Sequence, residues 1–180
     1  MLLAKLFRRS NAHEDAAVRL YATLVEKARD PAFYSRLAVP DTVNGRYDMV
    51  VVHAMLVLRR LRGEGQDAEK TGRALLELLF QDMDQSLREM GVGDMGIARH
   101  IKKMGKAMFG RAEAYEAGLD GDESTLAAAL KDNVYRQSQP TADQLAIMAL
   151  YMRRASEHLS TQGAPDIVAG SVNLQIPVME

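Results

Sequence analysis

No cysteine occurs in the 180-residue chain, which rules out disulfides, thiolate zinc sites and cysteine nucleophiles together and suits a reducing compartment. Long apolar runs are also missing. The longest, Met49 to Leu58, is interrupted by His53 and falls far short of the ~20 residues that a membrane-spanning helix needs. Met1 to Arg9 lacks the apolar core of a secretory signal. Nor is there an excess of one charge. The chain carries 23 lysines and arginines against 24 aspartates and glutamates, with a pI near 6.4, and has no basic-aromatic interleaving. That balance speaks against a nucleic-acid binder.

Motifs that carry reaction chemistry are equally scarce. His13, His53, His100 and His158 are spread over four different predicted helices. None has a histidine or carboxylate three residues earlier, so neither the HExxH zinc pattern nor the Glu-x-x-His pair of di-iron bundles occurs. The glycines at 63 and 65 and at 91, 93 and 96 follow no strand and lead to no Lys-Ser/Thr, which argues against a phosphate loop. No G-x-S-x-G elbow is present. Asp82 and Asp84, two apart, point to different helix faces and are no prepared acid-base pair. These gaps predict no catalytic, metal or cofactor site.

What the sequence does contain is helical periodicity along most of its length. Asn11 and Glu14 form an expected capping box, and Ala17, Val18, Tyr21, Leu24, Val25 and Ala28 give an amphipathic helix over 11–29. Asp30-Pro31 starts a short helix over 32–37. From Tyr47 to Leu61 most of the helix circumference is apolar, which predicts the centre of the fold, with His53 as a hydrogen-bonded core histidine. Arg59, Arg60 and Arg62 mark its C-terminal turn and Gly63 and Gly65 break it. A helix over 67–90 buries Leu75, Leu79, Phe80, Met83 and Leu87. Gly91-Val92-Gly93 stops it, and Asp94 is expected to cap a helix whose inner face reads Ile97, Ile101, Met104, Met108, Tyr115 and Leu119. A short helix over 126–135 follows, and Thr141 with Gln144 caps another that reaches residue 162. After Gly163 the period changes to two, with Val172, Leu174, Ile176 and Val178 alternating with polar residues or Pro177, and this extended tail is expected to dock on its own domain. The expectation is one all-α, bundle-like domain of six to seven helices over 11–162, with the tail at 163–180. Residues 1–10 would form a separate amphipathic segment, with Leu2, Leu3, Leu6 and Phe7 opposed to Lys5, Arg8 and Arg9, as in membrane-contact helices.

Charge is segregated locally between 77 and 118. Glu77 to Asp94 holds five acids and one base, whereas Met95 to Gly118 holds five bases and two acids. Side-by-side packing, with the charges facing each other or water, would account for this, and so would a partner surface. Arg99, Lys102, Lys103 and Lys106 fall at i, i+3, i+4 and i+7, one stripe of a helix. Five of the 11 methionines lie between 83 and 108, as core filler or as an adaptable apolar surface. Met90 and Met95 at the hinge, with the stripe and Arg111, are the candidate partner-binding residues.

Several motifs in order, Phe33-Tyr34, Val39-Pro40-Asp41-Thr42, the apolar helix around His53 ending in Arg59-Arg60-Leu61-Arg62, Phe80-Gln81-Asp82-Met83, Gly91-Val92-Gly93, Lys102-Lys103-Met104, Phe109, Tyr115 and Leu126 to Leu130, resemble the ubiquinol-cytochrome c chaperone family. The resemblance covers roughly 30–160, with a fainter echo in 168–178. It implies a non-enzymatic assembly factor of the cytochrome bc1 complex that binds newly made cytochrome b. Asp41, Thr42, His53, Asp82, Gly91, Phe109 and Tyr115 would be family-motif structural residues. Without a presequence, or tryptophan around the central helix, the chain looks like a shorter, bacterial-type member. Its expected place is the cytoplasm or the cytoplasmic face of the inner membrane. Further candidate partners are an anionic membrane surface, the ribosome and a small second subunit. The competing readings are a helical nucleic-acid or ribosome-binding adaptor and a cofactor-binding helical-bundle enzyme.

Overall fold

The computed structural model describes residues 11–89, 91 and 93–178, with residues 94 and 95 described by backbone only. The segment 1–10, Met90, Val92 and the Met95 side chain therefore lie outside the described residues. Helix α1 (Ala12–Ala28) starts where the Asn11 side chain accepts from the His13 N–H, in place of the expected reciprocal box with Glu14. In α2 (Pro31–Ser35), Asp30 accepts from the Ala32 N–H and Pro31 stands first, where no N–H is needed. The following helices are α3 (Val43–Leu61), α4 (Gln66–Glu89), α5 (Asp94–Asp120), α6 (Glu123–Asn133), α7 (Ala142–Ser160) and α8 (Ala164–Val168). Six helices of 11 to 27 residues and two of five, with no strand among the described residues, make the fold all-α as the periodicity predicts.

Helix α3 occupies the centre and packs on α1, α4, α7 and α8. Its residues 48–54 are all buried, so no side of this stretch faces water. Thr42 caps its start by accepting from the Gly45 N–H at 3.1 Å. At its other end the three arginines do more than meet the helix dipole. Arg59 reaches Asp120 at 2.5 Å, Arg62 reaches Glu116, and Arg60 donates to the carbonyls of Leu159 and Gln162. The C-terminal turn of α3 is thereby tied to α5 and α7.

Three further details differ from the periodicity reading. Gly93, not Asp94, is the N-cap of α5, and Asp94 is its first residue. Asp122 caps α6 through the Thr125 N–H, so that helix begins at Glu123, three residues before the first strongly apolar position. The tail is interrupted by α8, which carries Pro165 in its first turn. Beyond it, residues 171–178 are extended with Leu174, Ile176 and Val178 buried at every second position. Lys27 donates to the Ile176 carbonyl at 2.8 Å, and Gln162 exchanges two hydrogen bonds with the Asn173 backbone. This docking is in cis.

Candidate partner-binding surfaces

Two surfaces stand out on this frame: a groove between four helices and the outer face of α5. The groove has a volume of about 580 Å³. Helix α1 contributes Tyr21 and Val25, α3 contributes Val43, Tyr47 and Val50, α4 contributes Met83 and Leu87, and α5 contributes His100 and Met104. Arg29, Arg46 and Asp82 stand among its polar members. Val43 opens α3 at the lip of the groove and is 67% exposed. The Tyr21 hydroxyl donates to Asp82 at 2.8 Å, and the Tyr47 hydroxyl donates to the Met83 sulfur. Burial pushes both phenols well above their ordinary range, so both stay protonated at neutral pH. The lining is suited to an apolar helix and presents methionine, whose unbranched side chain adapts to different shapes.

Expectation and structure differ on which residues form this groove. Tyr21, Tyr47 and Met104 read as core positions in the sequence, yet they are only half-buried and border the groove, whereas Met83 is buried as expected and lies at its floor. A usable signal was Val43, an apolar residue in the first turn of a helix just after its cap.

On α5, Arg99, Lys102, Lys103 and Lys106 are exposed, and none forms an ion pair with a described residue. Three acids of α4 are occupied elsewhere: Asp82 by Tyr21, Asp84 by Arg88 on the same helix, and Glu89 by Gln85. The two charged helices do pack together, with the Phe80 ring against Gly105, but among the described residues no acid of α4 pairs with a cation of the α5 stripe. Arg111 departs from the expected surface. It is 8% exposed and donates to the Asp48 carboxylate at 2.6 Å, while Arg136 donates to the same carboxylate at 2.9 Å. Five residues after Lys106, it lies about 140° further round the helix, on the flank that faces α3.

The family-motif candidates occupy varied places. Asp41 is exposed and paired with Arg46 at 2.7 Å. Gly91 has φ +79°, a conformation that favours glycine where a helix stops. Phe109 is 58% exposed, and Tyr115 is buried. His53 is fully buried, with Nδ1 2.7 Å from the Met49 carbonyl and Nε2 2.7 Å from the Tyr151 hydroxyl. A carbonyl can only accept, so Nδ1 carries the proton and Nε2 accepts from Tyr151. Burial lowers the His53 pKa to about 4, so the ring is neutral at pH 7. Phe33 meets both rings edge-on, which makes this a packed polar insertion in the core. Among the described residues no cluster of three or more histidine, aspartate or glutamate side chains could hold a metal ion, and no helix is long and apolar enough to cross a membrane.

The sequence profile of the ubiquinol-cytochrome C chaperone family matches residues 35–174. The chain belongs to this family. The crystal structure of the Cbp3 homolog from Brucella abortus superimposes with a TM-score of 0.84 and 34% identity, covering 99% of this chain and 98% of that one. The chain is 27% identical over 153 residues to the mouse ubiquinol-cytochrome c reductase complex assembly factor 1, which spans 85% of this chain and 52% of the mouse protein. A Xenopus laevis relative of the same description is 24% identical, with 92% of this chain and 82% of the relative covered. The chain thus spans about half the length of its mouse relative, and its likeness to the Brucella protein along nearly the whole of both chains fits the expectation of a bacterial-type member. The family is one of chaperones and assembly factors, not enzymes.

Proposed function

We propose that this chain assists assembly of ubiquinol-cytochrome c reductase by binding newly made cytochrome b, and that an apolar helix of that client lies in the groove between α1, α3, α4 and α5. The observation that carries the reading is the groove itself: an apolar floor from four helices, an exposed Val43 at its lip and two methionines along it, in a member of this family. A membrane protein before assembly exposes apolar helical faces, and a groove of this kind covers such a face without holding it rigidly. With their protons given to Asp82 and the Met83 sulfur, the tyrosine oxygens at the groove keep lone pairs that can accept from polar groups of the client.

Deletion of the gene in its native cell should lower both spectroscopic cytochrome b and the assembled complex; normal levels of both would defeat the function. The groove is tested separately by Val43→Asp. That change puts a carboxylate at the first position of α3, where it suits the helix dipole, so the fold is kept while the lip becomes charged. Reduced assembly with an unchanged melting temperature is expected. Normal assembly in this variant, in a cell where deletion is harmful, would move the client elsewhere on the surface and leave the function standing.

A further inference from the structure

A straight α-helix turns about 100° per residue, so Arg99, Lys102, Lys103 and Lys106 lie within an arc of roughly 100° on α5. Phe109 falls beside Lys102 on the edge of that arc. It is 58% exposed, the only exposed aromatic hydrophobe among the described residues. Gly110, next to it, has open space where a side chain would stand. Glu113, exposed and one turn further along, ends the stripe.

This arrangement does nothing for the fold. Arg99 with Lys102 and Lys103, and Lys106 with both lysines, are like-charge pairs at i, i+3 and i, i+4, which weaken a helix unless something anionic meets them. Elsewhere on the described surface Arg46, Arg59, Arg60, Arg62 and Lys70 are ion-paired, and exposed cations with no ion pair, such as Arg29, Arg36, Arg73 and Lys131, are scattered over different elements, whereas on α5 four share one helix face. An exposed phenylalanine adds nothing to the core.

We propose that this face of α5 docks on an anionic phospholipid bilayer, with the four cations at the phosphates and the Phe109 ring in the interfacial layer. Shape favours a membrane over an acidic peptide or RNA. The five side chains stand on one convex helix over about 15 Å, a line that a flat surface meets all at once. The apolar groove opens on a different flank of α5, that of His100 and Met104, so membrane docking leaves it free. Cations above an apolar side chain match the layering of a lipid interface. The proposal holds whatever client the groove takes.

The full chain should co-sediment with vesicles of equal parts phosphatidylcholine and phosphatidylglycerol, but not with phosphatidylcholine alone, and strong salt should release it. Each cation near an anionic surface contributes about fivefold to partitioning, so replacing Lys102, Lys103 and Lys106 together by glutamine should weaken binding about 100-fold with an unchanged melting temperature. The chain has no tryptophan, so Phe109→Trp supplies a single reporter whose emission should shift to the blue on the anionic vesicles. Undiminished binding by the triple variant, loss of binding only on deletion of residues 2–9, an unshifted emission from the indole reporter, or tighter binding to single-stranded RNA than to the vesicles would each overturn the proposal.

Discussion

Replacing Asp48 by asparagine should destabilise the protein by about 3 kcal/mol at pH 7, and the reason lies in what it leaves behind. Asp48 is 4% exposed and sits 2.6 Å from Arg111, whose side chain is 9% exposed; Arg136, 2.9 Å away, is 42% exposed. Without the carboxylate, Arg111 becomes a buried charge with no counter-ion, which costs about 3–5 kcal/mol, and the amide recovers a little through one acceptor oxygen. Arg136 can turn to water and adds at most about 1 kcal/mol. Burial holds the Asp48 carboxyl above its ordinary range despite the opposing pull of both guanidinium groups. Desolvation on this scale means that the ion pair is not itself a large net gain. Asp48→Leu combined with Arg111→Met should then lie within about 1 kcal/mol of the parent, or above it. Urea unfolding reads both, as a shifted midpoint with an unchanged slope. A cost below about 1 kcal/mol for asparagine, or a double variant as unstable as the single one, would refute the reasoning.

His53 makes a pH-dependent contribution of definite sign. With its pKa lowered from 6.5 to about 4 in the fold, the unfolded chain takes up a proton that the folded state refuses. Stability present above pH 6.5 is thus lost as the pH falls through the folded value, by about 3 kcal/mol in total, and His53→Asn should lack this loss when unfolding is followed across the window. Parallel profiles for parent and variant would exclude it. In α5, Gly118→Ala would place a Cβ 2.7 Å from the Leu126 backbone and should cost about 1–3 kcal/mol by wedging α5 from α6, whereas Gly110→Ala, with open space, should stabilise by about 0.5–1 kcal/mol. Thermal melts of the pair check this, and equal effects would show that the interhelix contact is slack.

Which elements were legible in the chain follows from the range of the forces involved. The apolar circumference of α3 could belong only to a central helix, because no solvent-facing stripe remained. Thr141 with Gln144 closes its capping box within one turn, so three residues suffice to specify it, and both reciprocal bonds are present. The tail's alternation likewise announced which side chains would be covered. Where local signals compete, the reading slipped: Asp122 outranked the apolar pattern at the start of α6, and Pro165 marked an unread helix within the tail.

Long-range neighbours are another matter. Arg111 reads as one more cation after the α5 stripe, and its helical angle could have set it apart, but its burial depends on Asp48, 63 residues earlier in the chain. The groove draws on α1, α3, α4 and α5, so Tyr21, Tyr47 and Met104, which periodicity assigns to the core, are left half-covered only where those helices splay, over a buried Met83. Periodicity and caps act within a few residues, and they settled the helices, the central place of α3 and the cationic stripe. Which apolar faces close on one another and which stay open depends on how helices distant in sequence cross. Only the packed chain could therefore take Arg111 into the core, leave Phe109 outside it and open a groove between four helices.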